Sequence, residues 1–205
     1  MIDSYRTLRE SAQARITRKR SRFIAVLEPV GSGQDANEAL ARLKRKYHDA
    51  THHCYALRML DVHTGQILER SEDDGEPSGS AGLPMLHVLR NAELVNVLAV
   101  VTRYFGGSKL GVGGLIRAYG DSTTEALAIG DIVCRDIRAQ ITIQFPVEVN
   151  SGVMSTIHRF AASVKSVSYE DVPVIVVTLP PSQLDAFATA LAEASGARAR
   201  LVVEK

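Results

Sequence analysis

Cysteine is scarce in this sequence, and its scarcity excludes whole classes of protein. The 205 residues include only two cysteines, Cys54 and Cys134, which lie far apart and lack the spacing of metal ligands. The sequence therefore predicts neither a disulfide framework nor a zinc site, and it fits a reducing compartment. We expect no metal and no cofactor.

Overall charge and long apolar runs are lacking as well. The formal net charge is only +1, so total charge does not identify a nucleic-acid-binding protein. No apolar run approaches the length that spans a membrane, and residues 1–6 are polar with no signal-peptide core after them. We expect a cytoplasmic protein with no membrane partner, and nothing in the sequence indicates its oligomeric state.

Positive charge is nevertheless concentrated near the N-terminus. Residues 1–22 contain only two acidic side chains, Asp3 and Glu10. The basic side chains in the same range are Arg6, Arg9, Arg15, Arg18, Lys19, Arg20 and Arg22. Apolar patterns predict strands at residues 10–17 and 22–30, which makes the residues between them a basic hairpin tip. The tip is either a solvated turn that protects a sheet edge or a contact for phosphate groups.

The most informative part of the chain is a glycine-rich stretch that follows an apolar run. The run at residues 94–101 is short and rich in valine, which predicts a strand buried on both faces. The small and apolar residues 115–127 predict a helix. The order is therefore a strand, a glycine-rich loop that carries Arg103 and Lys109, and a helix N-terminus. Five glycines fall within nine positions of this stretch: Gly106, Gly107, Gly111, Gly113 and Gly114.

This arrangement favours an anion, because glycine lets a ligand approach the backbone and a helix N-terminus presents free N–H groups. The alternative is a tight, glycine-packed turn with two solvated cations. The familiar nucleotide motifs do not fit. The dinucleotide fingerprint requires glycine where Ile116 stands, and the P-loop requires different residues on both sides of Lys109.

A second loop that contains glycine is acidic. Its carboxylates are Glu72, Asp73, Asp74 and Glu76. Clustered carboxylates attract hard cations such as Mg²⁺, but the spacing is not that of an EF-hand, and a solvated loop is the alternative. Ser78 or Ser80 is placed to cap a helix at residues 82–90. Ser80 is not an evident nucleophile, because it lacks a Gly-x-Ser-x-Gly frame and a partner base.

The C-terminal third of the chain has its own regular pattern. Strands are predicted at residues 141–149, 163–169, 172–179 and 197–203, with one helix after the first strand and another before the last. This βαββαβ order is that of the ferredoxin-like plait, an antiparallel sheet with both helices on one face. Nothing catalytic is visible in it.

Three stretches together resemble the IMPACT/YigZ family. Residues 103–119 read RYFGGSKLGVGGLIRAY, residues 73–82 read DDGEPSGSAG, and residues 53–56 read HCYA. The resemblance implies an α+β chain of the bacterial type. It implies an N-terminal α/β domain at residues 1–138, similar to domain IV of elongation factor G, and a ferredoxin-like domain at residues 139–205, similar to domain V of that factor.

The resemblance also implies what the protein binds. Family members are thought to bind RNA or act in translation, and the eukaryotic relatives compete for the activator of an initiation-factor kinase with the help of an extra N-terminal domain. The resemblance carries no established catalytic residues. The leading hypothesis is a non-catalytic protein that binds RNA or the ribosome, with a protein partner in translation as a further expectation.

The residues expected at the anion or RNA site come from the glycine-rich stretch. They are Arg103, Tyr104, Phe105, Gly106, Gly107, Lys109, Gly113, Gly114 and Arg117. Tyr104, Phe105 and Tyr119 are available either to stack on bases or to pack in the core.

Two alternatives belong to other classes. In the first, the chain is an enzyme that acts on a phosphorylated or carboxylated small molecule. The glycine-rich loop would hold the anion, and the loop of Ser80 would supply acid–base or metal chemistry through Asp73, Asp74 or Glu76. In the second, the chain is an adaptor that binds only protein.

Overall fold

The computed structural model describes residues 2–62, 64–169 and 172–203. Its internal contacts divide the chain into two units. The first unit comprises Tyr5–Asp61 and Gly65–Arg135, and the second consists mainly of the residues from Asp136 onward. Both units mix helices with β-sheet, in agreement with the expected α+β class. The described part of the chain contains no helix that could span a membrane.

The first unit is organised around a five-stranded sheet of order β2-β3-β6-β4-β5, in which every neighbouring pair is antiparallel. A separate two-stranded sheet pairs β1 with β7. The elements in chain order are β1 (Ser4–Leu8), β2 (Ala12–Arg18), β3 (Ser21–Pro29), α1 (Gly33–Lys46), β4 (His52–Leu60), β5 (Ile67–Glu72), α2 (Gly82–Asn91), β6 (Val97–Tyr104), α3 (Val112–Ala128) and β7 (Ile132–Asp136).

The central strand is β6. All of its residues up to Arg103 are buried, and only Tyr104 is partly exposed, so the predicted burial on both faces is confirmed. The bounds differ from the prediction, because β6 ends at Tyr104 and α3 begins at Val112. Arg103 therefore lies in the strand, whereas the sequence predicted it in the loop.

Helices cover both faces of this sheet. On β3, Phe23, Ala25 and Leu27 pack in the core under α2 and α3, whereas Ile24 and Val26 pack in the core under α1. Successive side chains of a strand point to opposite faces, so the apolar run of β3 fills two cores.

The same alternation places the last residues of β6. Val97, Ala99 and Val101 belong to the core under α2 and α3. Arg103 is the next residue in that series, and its guanidinium lies 5.5 Å from the ring of Phe23 in the same core. A charged side chain therefore enters the layer between the sheet and the helices.

Four connections meet at one end of the five-stranded sheet. They are the β2–β3 hairpin tip, the residues before β4, the β5–α2 loop and the β6–α3 loop, and we call them together the loop end. The registers that bring them together are Arg18 with Ser21, Arg22 with Tyr104, His52 with Arg103, and Tyr55 with Glu72.

The second unit is an antiparallel four-stranded sheet of order β11-β8-β10-β9. Its elements are β8 (Ala139–Gln144), α4 (Asn150–Arg159), β9 (Ser163–Ser168), β10 (Val174–Leu179), α5 (Leu184–Ser195) and β11 (Arg200–Val203). Ile143 of β8 and Val177 of β10 share one core with Val153 of α4 and Phe187 of α5, so both helices pack on the same face of the sheet.

Glu69 of β5 attaches α2 to the sheet of the first unit. Its carboxylate accepts bonds from Nε of Arg90 at 3.0 Å and from Nε of Arg58 at 2.9 Å. These bonds, that from Arg90 above all, lower the pKa of Glu69 from 4.5 to about 2. Because the unfolded chain binds this proton at a higher pH than the folded protein, the stabilisation is present above pH 4.5 and is lost as the pH falls toward 2.

We expect Glu69→Gln to lower the free energy of unfolding at neutral pH by up to about 1 kcal/mol, because the pair is partly exposed. The difference from the unsubstituted protein should shrink as the pH falls below the ordinary pKa of the carboxyl group. Urea unfolding at a series of pH values measures it. Glu10→Gln is the control, since Glu10 is exposed and has no ion pair in the described part of the chain. A difference that does not change with pH would contradict the assignment.

Candidate functional site

The glycine-rich loop is fastened to the β2–β3 hairpin tip. The N–H of Gly106 donates to Oγ of Ser21 at 3.1 Å, and a Cβ added at Gly106 would lie 2.1 Å from the carbonyl carbon of Arg20. Nη2 of Arg20 donates to Oγ of Ser108 at 2.9 Å. Glycine is therefore required at position 106 by the hairpin backbone and not by a ligand, and its amide is already used.

Arg103 is enclosed beneath this loop. The residue is 5% exposed, its Nη1 donates to Oε1 of Glu76 at 2.6 Å, and its Nη2 donates to Oγ of Ser21 at 3.3 Å. Glu76 is 9% exposed. The sequence predicted that Arg103 would meet a ligand, but the structure places it in a buried ion pair that joins β6, the hairpin and the acidic loop.

Two further side chains belong to this buried polar cluster. The hydroxyl of Tyr119 donates to Oε1 of Glu76 at 2.7 Å, and Sγ of Cys54 lies within hydrogen-bonding distance of that hydroxyl at 3.3 Å. Burial raises the pKa of Tyr119 far above its ordinary value and raises the pKa of the Cys54 thiol to about 12. Both groups stay protonated at neutral pH, so Cys54 is not an activated nucleophile.

Three of the four carboxylates of the acidic loop bind within the protein, and the fourth, Glu72, is exposed. Asp73 accepts bonds from the N–H groups of Gly79 at 2.7 Å, Ala81 at 3.0 Å and Gly82 at 2.8 Å. Asp74 accepts the N–H of His53 at 2.6 Å. In the described parts of the chain, no three His, Cys, Asp or Glu side chains are grouped to hold a metal ion.

Asp73 also corrects the predicted helix cap. The sequence predicted that Ser78 or Ser80 would cap the helix at residues 82–90, but no side chain at the N-cap position of α2 makes a capping bond. The Asp73 carboxylate binds the first amides instead. Ser80 is fully buried, and its Oγ has no hydrogen-bond partner among the described residues.

Exposed cations lie around the buried cluster. Lys19 and Arg20 form the hairpin tip, Lys109 lies in the glycine-rich loop and Arg117 lies on α3, all exposed. Within the described residues, none of these four side chains has an ion pair. The nearby Asp121 is bound to Arg18 at 3.1 Å, and Asp49 accepts the hydroxyl of Tyr104 at 2.8 Å.

The N-terminus of α3 opens beside Lys109. Gly111 precedes the helix with φ 75, and no side chain caps the first turn. The first N–H groups of a helix have no acceptor within it, and Gly113 is exposed while Gly114 is partly exposed. Gly107 is exposed too, with φ 81. Free amides and an exposed lysine therefore lie in one short stretch.

The three aromatic candidates have different environments. Tyr119 is fully buried and packs edge-on against Phe23, with 5.2 Å between ring centroids. Tyr104 lies 4.1 Å beneath the guanidinium of Arg22, and its hydroxyl is bound. Phe105 is 48% exposed. Of the three rings, Phe105 is the one with a large exposed surface.

The loop end therefore separates the predicted residues into two groups. Phe105, Gly107, Lys109, Gly113 and Arg117 are exposed together. Those inside, or already bound, are Arg103, Tyr104, Gly106, Tyr119, Asp73, Asp74, Glu76 and Ser80, and Gly114 is partly exposed. Sequence reasoning missed the contacts of Ser21 and Cys54, which come from strand pairing and helix packing.

Comparison with known proteins extends over the whole chain. The family model of the Impact N-terminal domain matches residues 19–127. The IMPACT family member YvyE of Bacillus subtilis is 46% identical over 127 residues, a match that spans 62% of this chain and 57% of the relative. The IMPACT family member YigZ of Escherichia coli is 31% identical over 188 residues, which is 91% of this chain and 92% of the relative.

The similarity includes a vertebrate protein and a solved structure. Protein IMPACT of Rattus norvegicus is 40% identical over 100 residues, which is 48% of this chain but 31% of that protein. A crystal structure of a hypothetical protein is similar with a TM-score of 0.67 and 26% sequence identity, and the match covers 100% of this chain and 99% of that one.

The buried pair gives a prediction for Glu76. Glu76→Gln should lower the free energy of unfolding by about 3 kcal/mol, because it leaves the Arg103 charge buried without a counter-charge. Tyr119→Phe is the comparison, since it removes one hydroxyl from the same cluster and should cost about 1 kcal/mol. Denaturant unfolding measures both values. Equal losses in the two variants would contradict a charge-dominated cluster.

The close approach at Gly106 gives a second prediction. Gly106→Ala should lower the free energy of unfolding by about 1–3 kcal/mol, because the new methyl group overlaps the hairpin backbone. Gly120→Ala is the matched control, as nothing lies within 4 Å of a Cβ at that position of α3, and it should stabilise the protein by up to about 1 kcal/mol. Thermal unfolding separates the two, and a neutral Gly106→Ala would disprove the close approach.

Proposed function

The chain belongs to the IMPACT family, and we propose that it binds RNA through the loop end of its first unit, without catalysis. The RNA is structured and is either free or part of the ribosome, and the protein acts in translation or its regulation. A cytoplasmic location and a possible protein partner in translation are parts of the same proposal.

The observation that supports this most is the imbalance of available charge at the loop end. Lys19, Arg20, Lys109 and Arg117 are exposed without an ion pair among the described residues. Of the carboxylates nearby, Asp49, Asp73, Asp74, Glu76 and Asp121 are bound to other groups of the protein, and Glu72 is exposed. Four exposed cations without ion pairs, in a region where most carboxylates are bound, favour a polyanionic ligand, although the whole chain is nearly neutral.

The backbone adds contacts of the same kind. The free N–H groups at the start of α3 suit a phosphate oxygen, and Lys109 lies three residues before that helix. Contacts to phosphates position an RNA without reading its sequence. This agrees with the role in translation that the family resemblance implies.

The fold-level proposal has two parts. The first unit would correspond to domain IV of elongation factor G and the second to a ferredoxin-like plait, with the domains at residues 1–138 and 139–205. The strand–helix–strand–strand–helix–strand order and the sheet order β11-β8-β10-β9 support the second part.

The enzyme alternative receives less support from the site. It requires free carboxylates beside the glycine-rich loop, but Asp73 caps α2, Asp74 binds His53, and Glu76 is paired with Arg103. Cys54 keeps its proton because of the raised thiol pKa. The groups that such an enzyme would use are thus engaged in holding the loops.

The proposal predicts a salt-dependent weakening when two of the cations are removed. Lys109→Ala with Arg117→Ala should weaken binding to an RNA stem-loop about tenfold at moderate salt, because two phosphate contacts are lost. The slope of log affinity against log salt should fall by roughly 1 for each phosphate that the protein no longer neutralises. Fluorescence anisotropy with a labelled stem-loop measures both effects, and ribosome pelleting tests the ribosomal form.

The control removes the same charge elsewhere. Arg70→Ala with Lys165→Ala changes two exposed cations outside the loop end and should leave affinity and slope unchanged. If the Lys109/Arg117 variant keeps the affinity and the slope of the unsubstituted protein, the loop end is not the RNA site.

A further inference from the structure

Phe105 occupies an unusual position for a large apolar side chain. It follows the last residue of β6, it is 48% exposed, and it belongs to neither hydrophobic core of the first unit. Its backbone is fixed, because its N–H donates to Oγ1 of Thr51 at 3.1 Å and the next residue, Gly106, is fastened to Ser21. The ring is therefore held at the surface by its backbone and not by burial.

One side of this ring is supported from within. The guanidinium carbon of Arg103 lies 5.5 Å from the centroid of the Phe105 ring and equally far from that of Phe23. Glu76 and Ser21 fix Arg103 in turn. A cation against an aromatic face is attractive, so the buried ion pair orients the exposed ring before any ligand arrives. The entropic cost of ordering the ring on binding is then small.

The surroundings of Phe105 decide which ligand fits. Lys109 and Arg20 are exposed on the same loop and on the hairpin fastened to it. Proteins that bind single-stranded nucleic acid combine cations that follow the backbone with aromatic rings on which bases stack. Within a duplex the base faces are stacked on one another, so a ring of this kind can be used only by an unpaired base or by the pair at an open duplex end.

We propose that Phe105 is a stacking platform for an unpaired base, so that the site selects RNA carrying an exposed nucleotide, such as a loop or a bulge. The cations would then supply affinity for any RNA, whereas Phe105 would supply the preference for unpaired positions. This inference rests on the RNA binding proposed above and adds the class of RNA that is preferred.

The experiment compares two RNAs of equal nucleotide number and charge, a stem-loop and a duplex, with the open helix ends of both closed by non-nucleotide linkers so that no terminal pair is exposed. Phe105→Ala should lower the affinity for the stem-loop about tenfold and leave its salt slope unchanged, because the same cations still neutralise the phosphates. The affinity of Phe105→Ala for the duplex should equal that of the unsubstituted protein. Phe105→Leu should behave like Phe105→Ala since it keeps apolar bulk without a ring, and Phe105→Trp should retain the preference. Tyr169→Ala, at an exposed aromatic residue of the second unit, is the control.

A spectroscopic readout separates stacking from a structural effect. With 2-aminopurine at an unpaired position of the loop, binding of the unsubstituted protein should quench its fluorescence, and binding of Phe105→Ala at saturating concentration should not. Equal decreases in affinity for both RNAs, or unchanged quenching in Phe105→Ala, would overturn the stacking proposal while leaving RNA binding intact. Absence of binding to either RNA by the unsubstituted protein would overturn both.

Discussion

The ion pair between Glu76 and Arg103 is the interaction on which the loop end depends. Removing two charges from water costs several kcal/mol for each ion, and this cost is recovered only where further polar groups surround the pair. Here the hydroxyls of Tyr119 and Ser21 supply them. The pair therefore holds the acidic loop, β6 and the hairpin in one arrangement, and the exposed groups above it are positioned by that arrangement.

The location of charge matters more in this protein than its sum. A chain with a net charge of +1 still presents four exposed cations without ion pairs among the described residues of the loop end, because most of the carboxylates there are caps, hydrogen-bond acceptors or ion-pair partners. At the loop end, most carboxylates hold loops together, and the cations without ion pairs face the solvent. The amino-acid composition does not show which charged side chains are bound and which are exposed.

Sequence patterns predicted a structural feature correctly where neighbouring residues determine it. They failed where residues distant in the sequence determine it. The burial of β6 is readable from neighbouring apolar residues. Continuing the alternation of Val97, Ala99 and Val101 by one step would have placed Arg103 under the helices. No such signal exists for Gly106, because its role depends on a bond to Ser21 across 85 positions of the chain. The sequence therefore predicts the region in which the site residues lie. It does not predict which of these residues are exposed.

The way in which Asp73 caps α2 constrains the length of the chain at that point. Its carboxylate accepts hydrogen bonds from the N–H groups of Gly79, Ala81 and Gly82. Residues 73–82 therefore form a loop whose last residues are bound to its first residue. One inserted or deleted residue would carry those donors out of reach and would release three bonds at once. This segment is consequently a poor place for grafted peptides or tags.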